Sequence, residues 1–439
     1  MSFWQIFNMS VGFLGIQFGY ALQTGNASRI LQTYGAKLDN LTWFWLAAPL
    51  TGMIIQPIIG HYSDNTWTRL GRRRPYFLVG SLLASLTLLL MPNGSLLSAI
   101  IPMVMAGAGT LMIMDASFNV GMEPFRALIA DNLPDEQHNQ GFSVQTALIG
   151  VGAILGSLLP FALADWFGLG KATQKGMVPH NVSYAFYIGA IVLIVTVLWS
   201  VFKTKEFDPK EYASFYPDEV EKSKDQQKQS LVSQVWSNLM HMPQTMKQLA
   251  VVQFFSWYAL FSMWVFTTPA IADHVFHIKP GDTSSEAYNN AANWVNILFT
   301  VYNGVSAVYA LLLPRIMDKV GRKKAHAFSL IVGGLSLISL LFITNKYLLM
   351  LPMVGIGLAW GSALAIPYAI LSGTIPKTRT GVYMGIFNFT ITMPQILNGI
   401  IGGLIVKYLF KEHAIYALVM AGIFLFIAAY SVRLIKEEK

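Results

Sequence analysis

The sequence predicts an all-α polytopic membrane protein, with about twelve transmembrane helices in two pseudo-symmetric six-helix bundles. Three observations carry this expectation. Of 439 residues, 54% are hydrophobic and only 12% are charged, whereas soluble domains carry roughly 25% charged residues. The apolar residues fall in long runs, about twelve of which approach the roughly 20 residues needed to cross a hydrocarbon core. The polar loop after the second run is echoed by the loop after the eighth. A β-barrel is excluded, because its strands alternate over short segments and give no long apolar run.

The first span covers 3–25. No basic stretch precedes it, and the run from Phe3 to Ala21 is too long for a signal-peptide core, so it reads as a retained helix. Spans at 41–61, 75–92, 97–122, 141–164 and 182–202 complete a first bundle over 1–202. The largest hydrophilic interruption is 203–247. It opens on mixed charges (Lys203, Lys205, Glu206, Asp208, Lys210, Glu211) and continues to Leu231, Val232, Val235, Trp236, Leu239 and Met240 at helical spacing. It reads as a cytoplasmic linker bearing an amphipathic interfacial helix, the alternative being a loop packed on the helical domains. The second bundle, 248–439, holds spans at 249–271, 291–313, 325–344, 347–372, 381–406 and 414–433.

The net charge of +8 reflects Lys and Arg gathered in the loops of one side, a topology signal rather than a nucleic-acid surface. That side is cytoplasmic, and an even span count puts both termini there, as expected for a multi-pass protein of the cytoplasmic (inner) membrane. The sequence contains no cysteine, which excludes disulfides and thiol chemistry.

One ionised residue stands inside a run that is otherwise membrane helix. Asp115 follows an uncharged stretch from Ile100, and Arg126 lies eleven residues on, beyond Asn119, Glu123 and Pro124. A charge at bilayer depth costs roughly 3 kcal/mol or more, and such residues mark pathways for protons, ions or substrate. Asp115, Asn119, Met122 and Arg126 share one helix face. The two charges are about 16 Å apart on a straight helix, and Pro124 is a place where it can bend. Asp115 is therefore the candidate coupling residue, with a structural acid bonded to Asn119 or a neighbouring helix as the alternative.

The two halves carry corresponding loops. Gly60-His61-Tyr62-Ser63-Asp64 is followed by Leu70-Gly71-Arg72-Arg73-Arg74-Pro75, and Asp318-Lys319-Val320-Gly321-Arg322-Lys323-Lys324 follows the eighth span. Leu133-Pro134 before Gly141 is likewise echoed by Ile375-Pro376 before Gly381. Corresponding loops in two six-span halves indicate a transporter built from parallel repeats. The paired loops resemble the signature of the major facilitator superfamily. The resemblance implies a gating role for Asp64, Gly71, Arg72, Asp318, Gly321 and Arg322. The first loop departs from the pattern by inserting Asn65 to Arg69 between Asp and Gly.

A narrower resemblance covers 13–150 and, less fully, 355–400. Gly15-Ile16-Gln17-Phe18-Gly19-Tyr20, Gln56-Pro57-Ile58-Ile59-Gly60-His61, Asp115 with Asn119 and Arg126-Ala127-Leu128, and later Pro367-Tyr368 and Gly381 to Asn388 are similar to the glycoside–pentoside–hexuronide:cation symporter group, with the plant sucrose transporters. It implies proton-coupled import of an α-linked disaccharide of the maltose or sucrose type, with Asp115 carrying the proton and Arg126 helping to bind sugar. Glu123 is a departure from the plant proteins. It is either the arginine's resting partner or a second proton site.

Sugar binding calls for neutral hydrogen-bonding groups and aromatic faces. Gln17, Tyr20, Gln23, Gln56 and Asn119 in the first half, and Trp257, Trp264, Asn296, Asn303, Asn388 and Gln395 in the second, are the candidates. Amides can instead bond helices together, and aromatics can anchor at the interface. The second-half spans read as free of internal acids and bases. His61, His241, His274, His277, His326 and His413 read as surface residues near span ends, without metal-ligand spacing. No nucleophile–base pair, phosphate-binding loop or metal set is present, so neither an enzyme nor a cofactor is expected. The expected partners are a small sugar, a proton and the lipid bilayer, with no nucleic acid and a monomeric state. Efflux, sodium coupling and transport of another small polar solute stay open on the same scaffold. A sensor would be expected to carry a long signalling extension, and only Arg433 to Lys439 follow the last span.

Overall fold

The computed structural model describes residues 1–34, 38–97, 100–169, 177–208, 211, 237, 239–278, 286–376 and 379–436. Within these, the side chains of 28, 29, 32, 38–47, 165, 286, 288–290, 292, 293 and 296 lie outside the description. Most of the amphipathic segment expected in the linker, from Leu231 to Trp236, is likewise outside the described residues.

The described chain is almost wholly helical: α1 (Phe3–Thr33), α2 (Leu38–Asn65), α3 (Arg74–Leu90), α4 (Met103–Asn132), α5 (His138–Asp165), α6 (His180–Lys203), α7 (Gln244–His274), α8 (Glu286–Val320), α9 (Arg322–Ser339), α10 (Met350–Ser372), α11 (Thr380–Phe387), α12 (Phe389–Leu404) and α13 (Ile415–Ser431). Among the described residues ten helical stretches are long and apolar enough to cross a membrane, α11 and α12 counting as one. The helices α1 and α2, of 31 and 28 residues, complete the twelve-span pattern. The fold is that of two six-helix halves.

Local sequence explains where these helices begin and end. Pro102 is the N-cap of α4, where its missing N–H is no loss. The fourth span therefore starts at 103 rather than 97, and it runs on to Asn132, so Arg126 is inside the helix and not past its end. Gly321 alone separates α8 from α9, with φ of 86°. That left-handed backbone is open to glycine at little cost, and it lets the hairpin reverse in a single residue. The eleventh span is interrupted at Asn388. Pro394 follows one and a half turns later; it cannot donate to the Thr390 carbonyl and crowds it.

The chain packs as two compact units, Met1–His241 with Ile375–Asn388, and Met242–Thr374 with Phe389–Lys439. The sequence reading assigned the whole of 248–439 to the second bundle. The packing differs at 375–388, because α11 lies against α2 and α4 in the first unit. Small residues permit this. A Cβ at Gly385 would sit 2.6 Å from the Pro57 Cα, and one at Gly381 would sit 2.7 Å from the Gly60 carbonyl oxygen. Elsewhere in the first unit α1 packs on α5 and α6, and α3 on α4. In the second, α7 packs on α13, α9 on α10 and α8 on α10.

Candidate functional site

In the first unit the polar residues converge on α4. Asp115 is 2% exposed. The Gln23 side chain, from α1, donates its amide N–H to Asp115 Oδ1. Asn119, one turn on, donates from Nδ2 to the Asp115 carbonyl at 2.9 Å and to Thr51 Oγ1 at 3.4 Å, and it accepts from Gln56 Nε2 at 2.5 Å. Three helices are thereby joined around one carboxyl group. Tyr20 packs edge-on to Phe118 with ring centroids 5.9 Å apart, and Gln17 is half-buried one turn earlier on α1. Gln23 Oε1 and Gln56 Oε1 are buried and accept no hydrogen bond among the described residues. An unmade buried hydrogen bond of this kind costs about 1–3 kcal/mol.

Arg126 is paired within its own helix. Its Nη1 lies 2.6 Å from Glu123 Oε1, one turn back on α4. Glu123 is fully buried, and its Oε2 has no hydrogen-bond partner among the described residues. Glu123 is thus the ion-pair partner of Arg126 in this structure.

At the α2–α3 loop the sequence singled out Asp64, Gly71 and Arg72, but the ionic knot is larger. Asp64 Oδ1 accepts from Arg72 Nη2 at 2.9 Å and Arg73 Nη2 at 2.5 Å. The same carboxylate accepts the backbone N–H groups of Gly381 at 3.0 Å and Val382 at 2.8 Å, at the start of α11. A helix N-terminus offers unpaired N–H groups and a partial positive charge, so a carboxylate there is doubly favoured. Arg73 also donates from Nε to Asp131 Oδ2 at 2.8 Å and from Nη1 to Ser63 at 2.6 Å. Burial works against the Arg73 charge, but Asp131 and Asp64 more than offset it and hold the guanidinium above its ordinary pKa. Glu206, just past α6, receives the N–H groups of Arg72 at 2.8 Å, Arg73 at 2.9 Å and Arg74 at 3.0 Å. Gly71, with φ of 108°, leaves the room; a Cβ there would sit 2.6 Å from Glu206 Oε1.

The matching loop of the second unit is built differently. Asp318 is exposed on the last turn of α8, and Arg322 opens α9 half-buried. Gly321 has the same left-handed backbone, with open space where a Cβ would go.

The aromatic candidates of the second unit gather on α7, α8 and α10. Trp257 and Trp264 pack edge-on to one another at 6.2 Å and to Trp360 at 5.6 Å and 5.2 Å. Trp264 donates its indole N–H to the Tyr302 hydroxyl at 3.0 Å. Other candidates have different placements. Asn303 donates back to the Phe299 carbonyl at 3.0 Å, a local helix bond. Asn388 is buried and falls in the first unit, Gln395 is half-buried in the second, and the Asn296 side chain lies outside the described residues. Asn398 ties α12 to α7 through Ser262 at 2.5 Å.

His326 corrects the sequence reading. It is fully buried rather than on the surface, and its Nδ1 lies 2.6 Å from Ser362 Oγ. The second half therefore does contain an internal base. The signal was its position four residues into α9, where a helix face turned inward meets α10. Arg73, Asp131 and Glu206 were also missed. Their charges sit at span ends or in the mixed-charge linker, where an ionised side chain is expected without a specific partner.

A model of the Major Facilitator Superfamily matches residues 9–288 and 283–439. The general alpha-glucoside permease of Schizosaccharomyces pombe is 24% identical, over 97% of this chain and 92% of that protein. The sucrose transport protein SUC4 of Arabidopsis thaliana is 22% identical, over 89% and 81%. Among solved structures, the proton:xylose symporter XylE bound to 6-bromo-6-deoxy-D-glucose superposes with a TM-score of 0.69 at 14% identity, over 98% of this chain and 94% of that one. FucP in the outward conformation gives 0.67 at 14% identity, over 99% of each chain. These two likenesses establish the fold.

Proposed function

The chain belongs to the Major Facilitator Superfamily, and from that premise we propose that it is a proton-coupled symporter importing an α-linked disaccharide of the maltose or sucrose type by alternating access. The observation that carries the reading is the buried Asp115 carboxyl group in α4, held by Gln23 and flanked by Asn119. A carboxyl group in a low-dielectric helix bundle changes charge when it takes a proton, which gives a conformational equilibrium something to respond to. The named activities of the relatives, α-glucoside permease and sucrose transport, support the substrate class.

In this reading the unpaired amide oxygens of Gln23 and Gln56 accept sugar hydroxyls, and Arg126 leaves Glu123 to donate to the sugar. Guanidinium offers a fixed fork of donors, suited to adjacent oxygens. The indoles of the second unit supply an apolar platform for the C–H faces of a pyranose. The Asp64–Arg72–Arg73 knot and the Asp318–Arg322 loop are the gates, the ion pairs of the first forming in one conformation and opening in another. The protein acts as a monomer in the cytoplasmic membrane, with both termini in the cytoplasm.

The test is uptake of labelled sucrose, maltose and trehalose into vesicles holding the protein, with and without an imposed pH gradient. Accumulation of one of these above equilibrium, only with the gradient, is expected. Equal uptake in both conditions would leave a facilitator, and no uptake of any would remove the disaccharide class.

A further inference from the structure

Gln253 lies on α7 with its side chain fully enclosed, and neither its Oε1 nor its Nε2 has a hydrogen-bond partner among the described residues. Four residues on, hence on the same helix face, the Trp257 indole N–H is also buried and unpartnered. Trp264 gives no such opening, because its N–H is already taken by Tyr302. One turn of α7 thus presents an acceptor, an amide donor and an indole donor, and the Trp257 ring meets that of Trp360 at 5.6 Å. Buried polar groups in native proteins are nearly always satisfied, by protein, ligand or water. A hydroxyl both donates and accepts, so a polyhydroxylated ring can answer all three atoms at once while its C–H face rests on an indole. The amide and the indole are neutral, which suits an uncharged hydroxyl rather than a carboxylate or phosphate.

We propose that Gln253, with Trp257 and Trp360, forms a pyranose subsite in the second unit, and that Gln253 determines which hydroxyl pattern the ring must carry. This rests on the sugar reading above and deepens it by naming the side chain that reads the ring.

The test compares wild type with Gln253→Leu, which keeps the volume and removes both polar atoms. Binding of sucrose, maltose, trehalose and the monodeoxy analogues of whichever sugar binds is followed by intrinsic tryptophan fluorescence of the purified protein. Loss of one neutral hydrogen bond should weaken binding about ten-fold in Gln253→Leu. One monodeoxy analogue should bind wild type about ten-fold more weakly than the parent sugar, yet bind Gln253→Leu no worse than the parent does, the non-additivity of a single shared contact. If Gln253→Leu fails to fold, Trp257→Phe decides by the same cycle, since it keeps a ring and loses only the N–H; equal losses in variant and wild type for every analogue overturn the subsite. Wild-type affinity with an unchanged analogue ranking in Gln253→Leu means that a buried water satisfies the amide, and the subsite is overturned while the sugar reading stands. No response of wild type to any of the sugars, and no uptake, removes the sugar reading itself and the subsite with it.

Discussion

Glu206→Gln isolates a charge whose whole role is set by tertiary structure. The carboxylate accepts three consecutive backbone N–H groups at the start of α3, from Arg72, Arg73 and Arg74, and lies 3.3 Å from Arg74 Nε. A hydrogen bond to an ionised group contributes about 1.5–3 kcal/mol against about 0.5–1.5 for a neutral one, a loss of roughly 1 kcal/mol for each of the three. Removing a negative charge from a helix N-terminus adds up to about 1 kcal/mol. The sum, roughly 3–4 kcal/mol, is local to the hairpin that aims Arg72 and Arg73 at Asp64 and Asp131. Opening of that hairpin should therefore become about 100- to 1,000-fold more frequent. Hydrogen–deuterium exchange at the amides of residues 72–74 reads this directly, with transport measured in parallel. Glu206→Asp, which keeps the charge on a shorter stem, should lose less. Protection within about three-fold of wild type in Glu206→Gln, where about 100-fold or more is expected, would refute the assignment of Glu206 as the cap of this hairpin.

Four further outcomes are expected. Asp115→Asn keeps the volume and can still accept from Gln23, but it cannot carry a proton; gradient-driven accumulation should vanish while exchange across vesicles persists, and near wild-type accumulation would exclude Asp115 as the coupling group. Arg126→Lys should lose most transport although the charge is kept, because an ammonium lacks the planar fork; sugar affinity equal to wild type by calorimetry would reduce Arg126 to a counter-ion for Glu123. Gly71→Ala should impair transport and thermal stability more than Gly321→Ala: both pay the left-handed backbone penalty of roughly 1–3 kcal/mol, but only Gly71→Ala also displaces Glu206, and equal effects in unfolding scans would contradict this. Transport should be electrogenic: with one proton per sugar, about 2.3 kcal/mol per 100 mV supports roughly 50-fold accumulation, so substrate should evoke an inward positive current in proteoliposomes that grows as external pH falls, and uptake without current would point to a facilitator.

Much of this molecule is legible in one dimension. Long apolar runs, Lys and Arg gathered in the loops between them and duplicated loops reflect the bilayer acting on every residue independently of its neighbours, so composition and period suffice to read them. Asp115 stands out for the same reason: a charge at that depth needs a partner wherever it points. The helix ends at Pro102 and Gly321 are likewise local, set by a missing donor and a backbone free of Cβ.

What tertiary structure alone decides is partnership. Asp64 and Asp318 sit in similar loops, yet the first is buried under two guanidinium groups and two helix N–H groups, and the second is exposed. Glu206 lies 132 to 134 positions from the amides it caps, and Gly381 lies 317 positions from the Asp64 carboxylate that receives its N–H. His326 and Gln253 look unremarkable in sequence because each is one polar residue near or within an apolar run; their burial follows from which helix face meets a neighbour. The residue types and their spacing along each helix are fixed by the chain itself. Whether a given carboxylate, amide or imidazole is solvated, paired or left waiting for a ligand depends on the neighbours brought to it, since the cost of an unmade hydrogen bond or an unpaired charge exists only where water has been excluded.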